Sequence, residues 1–227
     1  MEIKNIKAIL FDLDGTLYKT EAYQLKAWND VLEKRGVFIN PKEYYKYVGK
    51  TALEVEKDII KEYKIDIEPG ELEKEKETLL IEWFKDDDDL ELMPHAKEVI
   101  EFFSDHPTIA MGLCTSGSKN EVICKLEKNN LFDKFDIIIT KDDVSRGKPF
   151  PDVYLEGMKR LGLEGKECLA VEDTEHGLES AKNAGAYCFV VPQEFSKGQN
   201  FSKADKILNS LGDLIVFFKP QLSKSGS

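Results

Sequence analysis

The chain has 227 residues, 41% of them hydrophobic and 33% charged, and a net charge of −11. This is an ordinary globular mix for one or two domains, and the acidic balance argues against nucleic acid or an anionic membrane as the main partner. A protein this acidic that handles phosphate must gather positive charge locally, from a metal ion or a few lysines.

The first element is an apolar run, Ala8-Ile9-Leu10-Phe11, which reads as a buried strand. Asp12-Leu13-Asp14-Gly15-Thr16-Leu17 follows it. Side chains alternate along a strand, so Asp12 and Asp14 would share a face if the chain stayed extended, and Gly15 allows it to turn. Two carboxylates thus stand at the carboxyl end of a strand, where open α/β sheets place their ligands.

Residues 20 to 85 read as almost entirely helical. Leu25, Trp28 and Leu32 recur at helical spacing, as do Leu72, Leu79, Leu80 and Trp83. Asn40-Pro41-Lys42-Glu43 is a helix start, and Thr51-Ala52-Leu53-Glu54 a capping box. The acidic run Asp86 to Asp89 breaks the pattern and reads as a solvated return linker, with Tyr18 to Thr20 as the outgoing one.

From Pro94 onward helices alternate with strands. The helices are Ala96 to Phe103, Lys119 to Asn129, Asp152 to Leu161 and Glu175 to Ala184. The strands are Ile109 to Cys114, Asp136 to Ile139, Cys168 to Val171 and Tyr187 to Val191. Such alternation implies a parallel sheet with right-handed crossovers. Gly162 and Gly185 stand where helix C-termini favour a left-handed residue. The expected organisation is an α/β catalytic core over 1–17 and 91–220, a helical insertion over 18–90, and a disordered tail over 221–227.

Three further signals fall at strand ends. Cys114-Thr115-Ser116-Gly117-Ser118 joins a strand to a helix that opens with a Ser118–Glu121 capping box, and a helix N-terminus behind a small-residue loop suits an anion. Gly147-Lys148-Pro149-Phe150-Pro151 holds Lys148 on a stiff loop. Glu172-Asp173 follows a buried strand, and adjacent buried carboxylates call for a cation. Gly177 would let the next helix approach closely. Each signal has a plain alternative: an Asx turn, a helix cap, a solvated lysine or a tolerated glycine. Jointly they supply carboxylates for a hard divalent metal, one carboxylate to attack, one to move protons, and a hydroxyl and an amine for phosphate.

Cys114, Cys124, Cys168 and Cys188 are widely spaced and form no C-x-x-C pair, so buried free thiols in a reducing, cytoplasmic compartment are expected. His95, His106 and His176 do not cluster, which disfavours zinc. No apolar run is long enough for a membrane span, and the N-terminus lacks the shape of a signal peptide.

These motifs, in this order, resemble the haloacid dehalogenase superfamily of phosphotransferases, most closely its β-phosphoglucomutase-like phosphatase branch, over nearly the whole chain. The resemblance implies a doubly wound parallel-sheet (Rossmann-like) core with an inserted helical cap. It implies Asp12 as nucleophile and Asp14 as general acid and base. It implies Mg²⁺ held by the Asp12 carboxylate, the Asp14 backbone carbonyl and Asp173, with Glu172 holding a metal-bound water. Ser116, Gly117 and Lys148 would bind the transferred phosphoryl group, with Thr115 the alternative hydroxyl. Lys19, Gln24 and Lys50 would supply cap contacts to the substrate, and the loop 49–51 would face the core. Asp14 argues against a true dehalogenase, because halide leaves without a proton.

The implied activity is a Mg²⁺-dependent phosphatase acting on a small phosphorylated metabolite such as a sugar phosphate. A β-phosphoglucomutase-type phosphotransferase is the alternative enzyme, and a catalytically silent binding protein the alternative of another class. Mutase relatives carry a His at the position aligned with Gln24 and an Arg near Ala52, and this chain has neither. Neither nucleic acid nor membrane is an expected partner, and the motifs leave the oligomeric state open.

Overall fold

The computed structural model describes residues 5–86 and 90–222. In chain order the main elements are β1 (Ala8–Phe11), α1 (Glu21–Glu33), α2 (Pro41–Tyr44), α3 (Ala52–Tyr63), α4 (Glu71–Asp86), α5 (Ala96–Ser104), β2 (Ala110–Cys114), α6 (Lys119–Lys128) and β3 (Ile137–Ile139). They continue with α7 (Asp152–Leu161), β4 (Cys168–Glu172), α8 (Glu175–Asn183), β5 (Tyr187–Val190), β6 (Lys206–Ile207) and α9 (Gly212–Leu222). The strands expected from the sequence are present with ends shifted by at most one residue. β6 and α9 lie beyond the last expected element. The apolar run Leu214 to Phe218 has no break in polarity from which a helical period could be read.

The strands form one parallel sheet in the order β3-β2-β1-β4-β5-β6. β1 lies at its centre, with Ala8 beside Ala110 on one neighbour and Cys168 on the other. The order reverses between β1 and β4, which opens a crevice at their carboxyl ends. Asp12 follows one strand, and Glu172 and Asp173 end the other, so the sheet topology itself brings the first and last motifs together.

Both sheet faces are covered, and alternate residues enter different cores. Ile9, Phe11, Leu169, Val171 and Phe189 pack on one side with α5 and α9. Ala8, Leu10, Ala170, Cys188 and Val190 pack on the other with α7 and α8. Cys114, Cys168 and Cys188 are buried and Cys124 half-buried, all as free thiols. The helices between β1 and α5 build a third core around Trp28, Leu32, Val55, Ile59 and Leu72.

Asn40, Thr51 and Ser118 cap their helices through reciprocal capping boxes, as their spacing predicts. Gly162 and Gly185 take positive φ after α7 and α8. The segments leaving and rejoining the sheet run side by side: Lys19 N–H donates to Glu91 O and Met93 N–H to Leu17 O. The expected return linker falls partly on Asp87 to Asp89, and the expected tail 221–227 mostly on 223–227, segments that lie outside the described residues; Gln221 and Leu222 are the last residues of α9 rather than tail.

Candidate active site

Asp12 sits one residue past β1. Its N–H still donates to Val171 O, so the ladder to β4 fixes the backbone from which the carboxylate projects. Lys148 Nζ donates to Asp12 Oδ1 at 2.5 Å and to Glu172 Oε1 at 2.6 Å. Glu172 Oε1 also accepts from the Tyr154 hydroxyl at 2.5 Å. Lys148 is only 4% exposed, so this amine is no solvated surface lysine. Burial works against its charge, but Asp12 and Glu172 hold its pKa above the ordinary lysine range. Burial, aided by Glu172 and Asp14, pushes the Asp12 carboxyl up to about 8 against the pull of Lys148.

Asp12, Glu172 and Asp173 offer carboxylate oxygens within 4.8 Å of one another. Two buried oxygens of this group, Glu172 Oε2 and Asp173 Oδ2, have no hydrogen-bond partner among the described residues. Burial and the negative charges of Asp12 and Glu172 push the Asp173 carboxyl well up. Three buried acids facing a single lysine, with orphaned oxygens, are a donor set that fits a hard divalent cation. Glycines let the acids close in. A methyl group on Gly15, which also has φ +79°, would overlap the Asp173 carboxylate, and one on Gly177 would overlap that of Glu172. The close-approach reading of Gly177 is therefore the structural fact.

Thr115, Ser116 and Gly117 form the opposite wall, between β2 and the N-terminus of α6. Thr115 Oγ1 already accepts from the Gly117 N–H at 3.1 Å. Among the described residues the Ser116 hydroxyl has no such partner, which leaves it free for a ligand. Asp14 also lines the cavity but is engaged differently from Asp12. Its Oδ1 accepts from Lys125 Nζ at 2.6 Å and from the Thr20 hydroxyl at 2.5 Å. Burial pushes the Asp14 carboxyl up, but Lys125 and Thr20 outweigh it and hold its pKa below the ordinary range.

The helices 21–86 close the cavity, about 120 Å³ in volume, from above. Glu73 and Glu77 of α4 pair with Lys141 at 2.8 and 3.1 Å. Gly49 O lies 2.9 Å from His176 Nδ1, and Val48 O accepts from Gln199 Nε2 at 3.0 Å. The loop 49–51 thus faces the core. Gln24, Lys50 and Ala52 line the cavity, although Lys50 is already paired with Asp58 at 2.6 Å. Lys19 is a correction. The pairing of its backbone with Glu91 sets its side chain against the Glu91 carboxylate, outside the cavity.

Several residues in or beneath the cavity carry no signal in the sequence. Lys76 is 7% exposed and lies over the Trp28 ring, with its amine toward the cavity. Glu21 lines the same space and accepts from the Tyr44 hydroxyl at 3.1 Å. Lys125 is fully buried under the motif loops. In sequence each looks like an ordinary charge on an amphipathic helix. Thr174 and Glu121 line the cavity beside motif residues, and Tyr154, six residues past Lys148, reaches Glu172; these stand close enough to a motif to have been candidates.

Comparison with known proteins places these features in a family. Residues 9–191 match the family model described as haloacid dehalogenase-like hydrolase. The bifunctional riboflavin kinase/FMN phosphatase of Arabidopsis thaliana is 30% identical over 91% of this chain, which spans only 54% of that protein. A probable pseudouridine-5'-phosphatase of Saccharomyces cerevisiae is 31% identical, over 97% of each chain. The crystal structure of CbbY from Rhodobacter sphaeroides in complex with phosphate superposes with a TM-score of 0.80. It is 26% identical, covering 92% of this chain and 96% of that one.

Proposed function

The chain belongs to the haloacid dehalogenase-like hydrolases, and on that premise we propose that it is a metal-dependent phosphatase. It removes phosphate from a small phosphorylated metabolite through an aspartyl-phosphate on Asp12. The observation that carries this reading is the Asp12 carboxylate at the sheet's switch point, 2.5 Å from a buried lysine and facing the Thr115–Gly117 loop across the cavity. Phosphoryl transfer needs chiefly positioning and charge neutralisation, and that is what surrounds Asp12.

In this mechanism an oxygen of Asp12 attacks phosphorus as the bond to the leaving oxygen breaks. Lys148 holds Asp12 in place and offsets negative charge on the phosphoryl oxygens. The Ser116 hydroxyl takes another oxygen. Asp14 gives a proton to the leaving oxygen, then accepts one from the water that attacks the phosphorylated Asp12. Asp12, Asp173 and the Asp14 backbone carbonyl would hold Mg²⁺, with Glu172 beside them. When bound, the ion neutralises phosphate charge. The helices 21–86 act as a cap that excludes bulk water, and Gln24 and Lys50 offer polar groups to the rest of the substrate.

Relatives named as phosphatases of FMN and pseudouridine 5'-phosphate favour a phosphorylated sugar or sugar-bearing metabolite. Gln24 and Ala52 line the cavity where a mutase would have His and Arg. Gln24 cannot become cationic, and Ala52 cannot hold a second phosphate. Water is therefore the acceptor in this reading. The test is a screen of phosphorylated metabolites with Mg²⁺ for phosphate release, with one arm containing β-glucose 1-phosphate and a trace of the 1,6-bisphosphate. Release of phosphate without build-up of glucose 6-phosphate is expected. Glucose 6-phosphate accumulating ahead of phosphate would establish the mutase, and no turnover of any ester would leave a silent family member.

A further inference from the structure

The segment 193–199, between β5 and β6, takes no part in the chemistry above, yet it is where the core grips the helices 21–86. It is held rigidly on the core. Ser196 is fully buried; its Oγ accepts from the Gln193 N–H at 3.0 Å, and its own N–H donates to Gln193 O at 3.0 Å. The Gln199 N–H donates to Ser196 O, and the Gln193 side chain donates to Val191 O just past β5. The Gln199 side-chain amide then joins core to cap. Its Oε1 accepts from the Glu175 N–H at the start of α8, at 2.7 Å, and its Nε2 donates to Val48 O at 3.0 Å. One partner is a donor and the other an acceptor, which fixes the orientation of the amide.

Phe195 does by packing what Gln199 does by hydrogen bonds. Its ring joins the third core, with centres 6.1 Å from Tyr44 and 5.4 Å from Tyr45. The Tyr44 contact is edge-to-face at 82°, a favoured arrangement for aromatic rings. Tyr44 carries that contact to the cavity. Its hydroxyl donates to Glu21 Oε2 at 3.1 Å, and both residues line the cavity. On the same side Gly49, at φ +89°, comes so near the core that a methyl group there would stand 3.1 Å from Thr174 Cβ, next to Asp173. The residues 44–49 therefore sit where segment 193–199 and the start of α8 hold them.

We propose that segment 193–199 is a latch that holds the cap closed over the cavity, with Phe195 and Gln199 as its positioning residues. The latch rests on the reading of helices 21–86 as a cap, and its kinetic consequence on the phosphatase reading. Neither residue lines the cavity; both act through residues 44–48. In the closed form Tyr44, Glu21 and Gln24 reach the substrate, and in an open form they do not. The closed form is the one that binds productively, so the apparent dissociation constant is that of the closed form divided by the closed fraction. Weakening the latch therefore raises KM and leaves kcat, set inside the closed complex, nearly unchanged.

The test uses Gln199→Glu and Phe195→Ala. Gln199→Glu keeps the shape of the side chain and still accepts the Glu175 N–H, but it sets an oxygen against Val48 O where the donor stood. It breaks the link to the cap and spares the link within the core. The first readout needs no turnover. Trp28 lines the cavity and is 1% exposed, and in a Trp83→Phe background it is the only tryptophan. In the free protein both substitutions should remove shielding, so that acrylamide quenches Trp28 fluorescence more strongly than in Trp83→Phe alone. The second readout is steady-state hydrolysis of the best ester. Gln199→Glu should raise KM at least about 3-fold, within the roughly 2- to 10-fold that one hydrogen bond is worth, and change kcat less than about 2-fold. Unchanged quenching or unchanged KM in folded Gln199→Glu would overturn the proposal. If Gln199→Glu does not fold, Phe195→Ala combined with Tyr45→Ala decides. The pair should raise KM by less than the product of the single effects, because both remove one shared contact; multiplicative effects would overturn the latch. Failure of both Gln199→Glu and Phe195→Ala to fold would assign the segment to core stability and overturn it too. If wild type hydrolyses no ester, the phosphatase reading fails and Trp28 quenching alone decides the latch.

Discussion

Gly177 lies directly against the Glu172 carboxylate, so closely that a methyl group at 177 would occupy the space of Oε2 and Cδ. Glu172 is fully buried and already tied through Oε1 to Lys148 and Tyr154, so it cannot give way cheaply. Gly177→Ala should destabilise the fold by about 1–3 kcal/mol, the usual cost of overpacking. It should also lower phosphatase activity more than a stability loss alone explains, because Lys148 moves with Glu172. Urea unfolding together with phosphate release checks both. A variant as stable and as active as wild type would show that α8 can shift freely, contrary to the packing described.

Asp12→Asn should abolish turnover, by on the order of 10⁴-fold or more, as loss of a nucleophile does. The fold should survive. The amide keeps the shape of the side chain, and Lys148 retains Glu172 as a partner at 2.6 Å. Phosphate release and a circular-dichroism melt are the measurements. Substantial residual turnover of an authentic substrate would remove Asp12 from the nucleophile role.

The three clustered carboxylates predict that Mg²⁺ stabilises the protein as well as activating it. Saturating Mg²⁺ should raise the thermal midpoint, by the equivalent of about 2.7 kcal/mol at 100 times its dissociation constant. Asp173→Asn should reduce that shift sharply. Excess chelator should stop phosphate release and Mg²⁺ should restore it, whereas Ca²⁺, with its larger and looser shell, should inhibit. Full activity in chelator with no midpoint shift on adding Mg²⁺ would contradict the metal reading.

Burial, with the nearby charge of Asp14, pushes the Glu21 carboxyl from its ordinary 4.5 up to about 7. A carboxyl raised on folding binds its proton more tightly in the folded state. Its contribution is therefore fully present below about pH 4.5 and is lost as pH rises through 7. Wild type should lose stability relative to Glu21→Gln between pH 5 and 8, by up to about 3 kcal/mol for a shift of this size. Denaturant titrations of both proteins across that range measure the gap. A gap that stays constant with pH would show that Glu21 is not raised.

The sheet and the four motif segments were legible because their signals are local. Ala8 to Phe11 and Cys168 to Val171 are apolar runs of strand length; Asp12, Ser116 and Asp173 each stand within two residues of a strand's end, and Lys148 stands on the Pro-stiffened loop between β3 and α7. A capping box such as Ser118–Glu121 is also a contract between near neighbours, and it formed as its spacing implies. What the sequence determined by itself was the class of fold and which residues would gather at the carboxyl edge of the sheet.

The tertiary structure decided what those residues touch. Lys125 and Lys76 are spaced like the solvent-facing charges of amphipathic helices. They are buried because α4 packs across α6, and no pattern within either helix records the other's presence. The same holds for Asp12 and Asp14, two residues apart in one motif. The first is paired with Lys148 and the second with Lys125, partners 136 and 111 positions away in the chain. Pairing over such distances is set by which helices and loops the sheet brings together, so the environment of each carboxylate exists only in the folded chain.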